Sequence, residues 1–204
     1  MNDLKKNLPI FPLNGAILFP GSNLPLNIFE ARYIEMVDYS LSNNKTIGMI
    51  QKMENGDGLY KIGCCGKITS FHETSDGRYL INLHGTKFFK TIKEINSKNK
   101  FRIFEVEFNK NNNEFDLNKL NVEKSTLLDK FKIFVDRTNL KTSLDSIESI
   151  NINDLVKILA MSCPFTASEK QLLLESKNSN MLADKLLSLF DFYNNQLENK
   201  ETLN

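Results

Sequence analysis

Three cysteines and two histidines are the residues of this 204-residue chain with the widest chemical reach. Cys64 and Cys65 are adjacent in Gly63-Cys64-Cys65-Gly66, and Cys163 stands alone before Pro164. A thiolate nucleophile needs a histidine base and a depressed pKa, so the arrangement to weigh unites Cys64 or Cys65 with His72 or His84 across a barrel. Against it, neighbours in a strand point to opposite faces, so the adjacent thiols do not chelate one metal, and Cys-x-x-Cys spacing is absent. Buried cysteines and surface histidines are the favoured expectation, with Cys163 a small hydrophobe at a helix end. The sequence has no Gly-x-x-x-x-Gly-Lys-Ser/Thr, Gly-x-Ser-x-Gly, His-Glu-x-x-His or Gly-x-Gly-x-x-Gly. ATP hydrolysis on a phosphate loop is thereby excluded, and no cofactor or metal is expected. Three cysteines that cannot all pair point to a reducing compartment, the cytoplasm.

Lys87, Lys90, Lys93, Lys98, Lys100 and Arg102 crowd together with Phe88, Phe89 and Phe101 among them. Cations interleaved with aromatics can track a nucleic-acid backbone and stack its bases. The competing expectation is a solvated hairpin whose phenylalanines face the core. Net charge favours the second: 26 basic against 25 acidic residues overall, with 15 and 13 up to position 116 and 11 and 12 after it. Neither part carries the field that nucleic-acid binding requires.

The elements that position these residues change character along the sequence. All nine glycines lie between Gly15 and Gly85 and four of the five prolines between Pro9 and Pro25, so a turn-rich first part precedes a glycine-free second part. β-Branched and aromatic residues predict strands over 46–51, 59–74, 78–84 and 101–108, with Phe104, Val106 and Phe108 on the buried side of the last. From Glu30 to Leu41 the spacing of Tyr33, Ile34, Val37 and Leu41 predicts one helix. Asn109 to Asn113 is the expected joint, dividing the sequence into 1–116 and 117–204. Helices are expected over 117–137 and 152–162, after a capping box at Thr166-Ala167-Ser168-Glu169, and from Ser179 to Leu197. The fold class is therefore α+β: a small β-barrel or sandwich with one inserted helix, followed by an antiparallel four-helix bundle. No apolar run is long enough to cross a bilayer, so no membrane partner is expected.

Leu8-Pro9-Ile10-Phe11-Pro12-Leu13, then Leu18-Phe19-Pro20-Gly21, then Leu24-Pro25-Leu26-Asn27-Ile28-Phe29-Glu30-Ala31-Arg32-Tyr33 is an ordered string. It resembles the opening of the Lon protease N-terminal domain family, in particular its stand-alone members. The likeness continues through Ile47-Gly48, Ile62-Gly63, Asp76 to Ile81, Gly85 to Phe89 and Glu169 to Glu175. The resemblance implies a PUA-like barrel and a recognition role without the ATPase and peptidase modules. Its expected partners are unfolded or extended protein segments, together with a protease or chaperone component. Asn27 and Ala31 stand where stand-alone relatives often carry histidine and proline. Pro12, Pro20, Gly21, Pro25, Glu30, Arg32 and Tyr33 are read as structural: the prolines hold leading segments along a sheet margin, Phe29 and Tyr33 are suited to a packing clamp against the barrel, and Glu30 is set to pair with Arg32 or a loop amide. Phe19, Phe29, Met36 and Tyr39, outside or at the rim of the predicted stripes, are the expected exposed contacts for a client. A PUA-like RNA binder and a small thiol enzyme are the alternatives.

Overall fold

A computed structural model describes residues 5–54, 56, 58–109, 120–141 and 147–201. Its strands are β1 Lys5–Leu13, β2 Asn23–Ile28, β3 Thr46–Gln51, β4 Ile62–Glu73, β5 Tyr79–Ile95 and β6 Arg102–Phe108. Its helices are α1 Ala31–Leu41, α2 Lys124–Thr138, α3 Ile152–Ser162, α4 Ala167–Leu174 and α5 Ser179–Glu201. They group into two units: the strands with α1 and Cys163–Glu175, and the remaining three helices.

In the first unit the strand order is β2-β5-β4-β3-β1-β6, and β5 also pairs with β6. The pairings of β5, β4, β3, β1 and β6 therefore return on themselves. The 17 residues of β5 make this possible, because Tyr79–His84 lies against β2 while Phe89–Ile95 lies against β6. Register shifts at Cys65/Gly66, Ile68/Ser70 and Thr91/Lys93 supply the local bends such a circuit needs. The expected strand 78–84 and the basic segment after it are thus one element, because Gly85 lies within a strand and ends none.

Proline removes a ladder donor, so it is expected at sheet margins. Yet β1, carrying Pro9 and Pro12, lies between β3 and β6. The two ladders are staggered: β6 pairs with Lys5–Ile10 and β3 with Ile10–Leu13, overlapping only at Ile10. Each proline therefore faces one paired neighbour, and its missing amide is accommodated on the other side. Leu8, Ile10, Ile50, Cys65, Phe89, Phe104 and Val106 form one core cluster. Phe104 and Val106 are buried as expected and Phe108 partly, but Phe101 and Ile103 of the opposite parity are buried too. Both faces of β6 are covered.

Helix α1 buries Tyr33, Met36, Val37 and Ser40, while Ile34 and Leu41 are only half-buried. The stripe is rotated from the predicted one. Ser40 tolerates the interior because its hydroxyl donates to the Met36 carbonyl at 2.8 Å. Phe11 and Tyr33 meet edge-on, ring centroids 4.4 Å apart.

The sequence boundary at 116/117 assigned α4 to the helical part; the grouping places it with the strands. Its capping box is complete, with the Glu169 amide donating to Thr166 Oγ1 at 3.2 Å and the Thr166 amide to Glu169 Oε2 at 2.8 Å. Buried Gln51 of β3 then donates to the Ala167 carbonyl at 3.0 Å and Gln171 Oε1 at 3.1 Å, and Gln171 donates to the Ile62 carbonyl at 3.1 Å. Lys170 Nζ donates to the Gly15 carbonyl at 2.8 Å. These polar anchors tie α4 to the strand layer.

In the second unit α5 packs on both α2 and α3. Phe134 is the hub, 5.2 Å from Phe190 and 5.7 Å from Tyr193. Asn139 ends α2 in the left-handed region at φ 51°. Asn151 and Asn178 cap the starts of α3 and α5, accepting from the Asp154 and Met181 amides at 3.0 and 2.9 Å. The expected joint, Asn109 to Asn113, lies outside the described residues from 110 onward.

Candidate functional site

The thiols are interior. Cys64, Cys65 and Cys163 are buried and free. Burial pushes the Cys64 thiol well above its usual range, raises Cys65, and pushes Cys163 up to about 12. All three stay protonated at neutral pH, the opposite of what a nucleophile needs. His72 is exposed seven residues along β4 from Cys65, roughly 23 Å away at the usual strand rise. His84 lies opposite Lys67 on β4, and its Nδ1 is 3.1 Å from Asn23 Oδ1. Among the described residues no three His, Cys, Asp or Glu side chains come together to hold a metal.

The basic stretch takes the solvated form. Phe88, Phe89 and Phe101 are buried, so no ring is presented for base stacking. Lys93 pairs with Glu105 at 3.4 Å, Lys100 with Glu35 at 3.9 Å, and Arg102 with Glu94 at 2.7 Å. With half of its cations paired and its rings hidden, the stretch lacks the stacking platform of a nucleic-acid surface.

Of the four expected client contacts, two are corrected. Met36 is fully buried in the rotated stripe of α1, and Phe19 is fully buried with its ring 6.2 Å from Phe88 at 88°. Phe19 is drawn inward because Gly85, lacking a side chain, lets the Phe19 carbonyl and the Leu18 side chain approach β5. Tyr39 is exposed at 40% but rests on Phe101, centroids 5.3 Å apart. Phe29, 67% exposed, is the most solvent-facing large apolar side chain among the described residues. Of the expected clamp against the strands, Tyr33 takes its part, packing on Phe11 of β1 with the Arg32 guanidinium 4.5 Å above its ring, while Phe29 faces solvent. Arg32 and Glu30 pair as expected, at 2.6 Å.

Phe29 immediately follows β2, an edge strand. Among the described residues β2 pairs only with β5. Which backbone groups face outward follows from parity. Pro20 is buried, Gly21 turns at φ 81°, and the Gly85 amide donates to the Ser22 carbonyl at 2.8 Å. Alternate residues 24, 26 and 28 therefore face β5, and Asn23, Pro25 and Asn27 face away. Pro25 thus has its missing donor on the open side, where an edge proline belongs. The outer edge offers the amides of Asn23 and Asn27 and the carbonyls of Asn23, Pro25 and Asn27. Leu80, opposite Asn27 in register, is 42% exposed beside it. Sequence reasoning missed Asn23 and Leu80 as surface groups; the Leu24/Leu26 alternation against Asn23, Pro25 and Asn27 was the available signal.

The comparisons with known proteins agree with this architecture. A family model described as the ATP-dependent protease La (LON) substrate-binding domain matches residues 7–191. The Lon protease of Buchnera aphidicola subsp. Baizongia pistaciae is 24% identical over 194 residues, covering 90% of this chain and 24% of the relative. That of Flavobacterium johnsoniae is 24% identical over 223 residues, covering 99% of this chain and 26% of the relative. This chain spans about a quarter of the length of these curated relatives. Among solved structures, a Lon N-terminal domain protein from Xanthomonas campestris superposes with a TM-score of 0.65 at 21% identity, over 90% of this chain and 98% of the other. The N-terminal domain of the Mycobacterium avium complex Lon protease gives 0.60 at 13%, over 93% and 98%. No helix among the described residues is long and apolar enough to cross a membrane.

Proposed function

The chain belongs to the ATP-dependent protease La (LON) substrate-binding domain family, and from that premise we propose that it recognises extended or unfolded protein segments by strand addition at β2. The observation that carries this reading is an open edge of known polarity ending in the exposed ring of Phe29. An incoming strand would accept from the Asn23 and Asn27 amides and donate to the three outward carbonyls, gaining affinity without sequence selectivity. Phe29 and Leu80 would take its apolar side chains. The returning strand pairings support a PUA-like barrel as the platform, and an edge on a rigid sheet loses little entropy on binding.

These 204 residues supply recognition without chemistry: they contain no phosphate loop, and their thiols are held protonated. The three free cysteines fit a reducing, cytoplasmic setting, where a protease or chaperone component would receive what is bound.

The test is capture of a chemically unfolded client by the full-length protein, read as suppression of its aggregation. Phe29→Ser is expected to weaken capture about fivefold, the loss of one exposed apolar anchor, while the unfolding midpoint is unchanged. Capture that is indifferent to Phe29→Ser excludes this surface.

A further inference from the structure

The five strands whose pairings return on themselves all contribute to a cleft of about 500 Å³, a size suited to a small group or a short piece of peptide. Every one of the five contributes: Leu8 from β1, Thr46 from β3, Cys65 from β4, Thr86 and Lys87 from β5, and Phe108 from β6. Lys6 and Lys87 supply the charge, and among the described residues no carboxylate lines the cleft. Neither lysine makes an ion pair among the described residues, in contrast with Lys93, Lys100 and Arg102 of the same unit. Both ammonium groups act on the Cys65 thiol, opposing the upward push of burial, so their fields meet at the cleft wall. Leu8 and Cys65 are buried and Phe108 half-buried, giving that wall an apolar character. The Thr86 hydroxyl is committed to the Cys65 carbonyl at 2.9 Å, which fixes the β4–β5 side.

Two cations beside apolar lining, with side-chain amides from Asn7 and Asn44 among the lining residues, suit one anionic group carried on a compact apolar residue. A phosphodiester backbone would need a track of cations, and Lys93, Lys100 and Arg102 of the same unit are paired with Glu105, Glu35 and Glu94. We propose that this cleft is a second recognition subsite, separate from the β2 edge, that binds a carboxylate of a peptide segment between Lys6 and Lys87. The inference rests on the peptide-recognition reading above and adds a chemical preference to it. The carboxylate has two sources, the C-terminus of a peptide or an Asp/Glu side chain.

The test titrates the isotopically labelled full-length protein with three short Ala/Leu peptides, following the amide resonances of Leu8, Thr46, Thr86 and Lys87. One peptide ends in a free carboxylate, one is amidated, and one is amidated but carries an internal glutamate. The free carboxylate is expected to bind about fivefold more tightly than the amide, as two solvent-exposed ion pairs allow, and the preference should shrink in high salt. Recovery of affinity by the internal glutamate assigns the site to acidic side chains; no recovery assigns it to peptide termini. In Lys6→Met/Lys87→Met, whose replaced side chains are exposed, the preference should vanish while client capture at β2 persists. Equal affinity for the carboxylated and amidated peptides, or a preference that survives the double variant, overturns the subsite. So does a titration in which inorganic phosphate moves these amides and no peptide does. Failure of the subsite leaves the capture assay with Phe29→Ser untouched, so the two readings fall separately.

Discussion

Replacing Gly85 by alanine will destabilise the strand unit by about 3 kcal/mol or more, above the usual range for an added methyl group because here the obstacle is backbone. A Cβ built on Gly85 lies 2.0 Å from the Phe19 carbonyl oxygen and 3.1 Å from Leu18 Cγ. Neither segment can yield cheaply. The Gly85 amide donates to the Ser22 carbonyl at 2.8 Å and the Gly85 carbonyl accepts from the Gly21 amide at 2.9 Å, so separating them breaks both bonds. Gly77 provides the contrast: it sits at φ 78° with nothing within 4 Å of its Cβ position. Gly77→Ala should cost only about 1–2 kcal/mol, the penalty of a left-handed alanine. Urea unfolding of the two variants checks the ranking, and a Gly85→Ala midpoint no lower than that of Gly77→Ala would refute the close approach.

The second large effect concerns binding and leaves the fold in place. Asn27→Pro should weaken client capture about tenfold or more, because it removes an outward donor and sets a ring where an added strand would lie. The substitution is tolerable in the native sheet, since Asn27 shares the outward parity of Pro25, which β2 already accommodates. Leu24→Pro, one step out of phase, removes a bond to β5 and should lower stability as well. Unchanged capture with Asn27→Pro, in a protein of native stability, would exclude strand addition at β2.

Much of the fold was legible because its signals are local. The capping box at Thr166, the limits of α3 and the β3 strand follow from residue types within one turn or one strand, and all three stand where they were expected. What escaped depends on partners distant in sequence. Gly85 reads as a turn residue until the backbone at Phe19 is seen to press on it, and only then does β5 become one long strand. The buried stripe of α1 was misplaced because Ser40 looks like a surface residue; its hydroxyl is satisfied within its own helix, which lets Met36 lead the face inward. Helix α4 was assigned by its company in sequence, while Gln51, far away in sequence, decides where it packs. Of the four side chains expected at the surface, Phe29 and Tyr39 are exposed, whereas Phe19 and Met36 are buried. The edge of β2 required strand order, which periodicity alone does not contain.

Recognition through β2 requires that this strand receive another, and amide hydrogen exchange reads that event residue by residue. With saturating unfolded client, the outward amides of Asn23 and Asn27 should exchange at least about tenfold more slowly, while those of Leu24 and Leu26, already turned toward β5, keep their rates. Exchange at Asn23 and Asn27 that is unchanged by saturating client would contradict recognition through this edge.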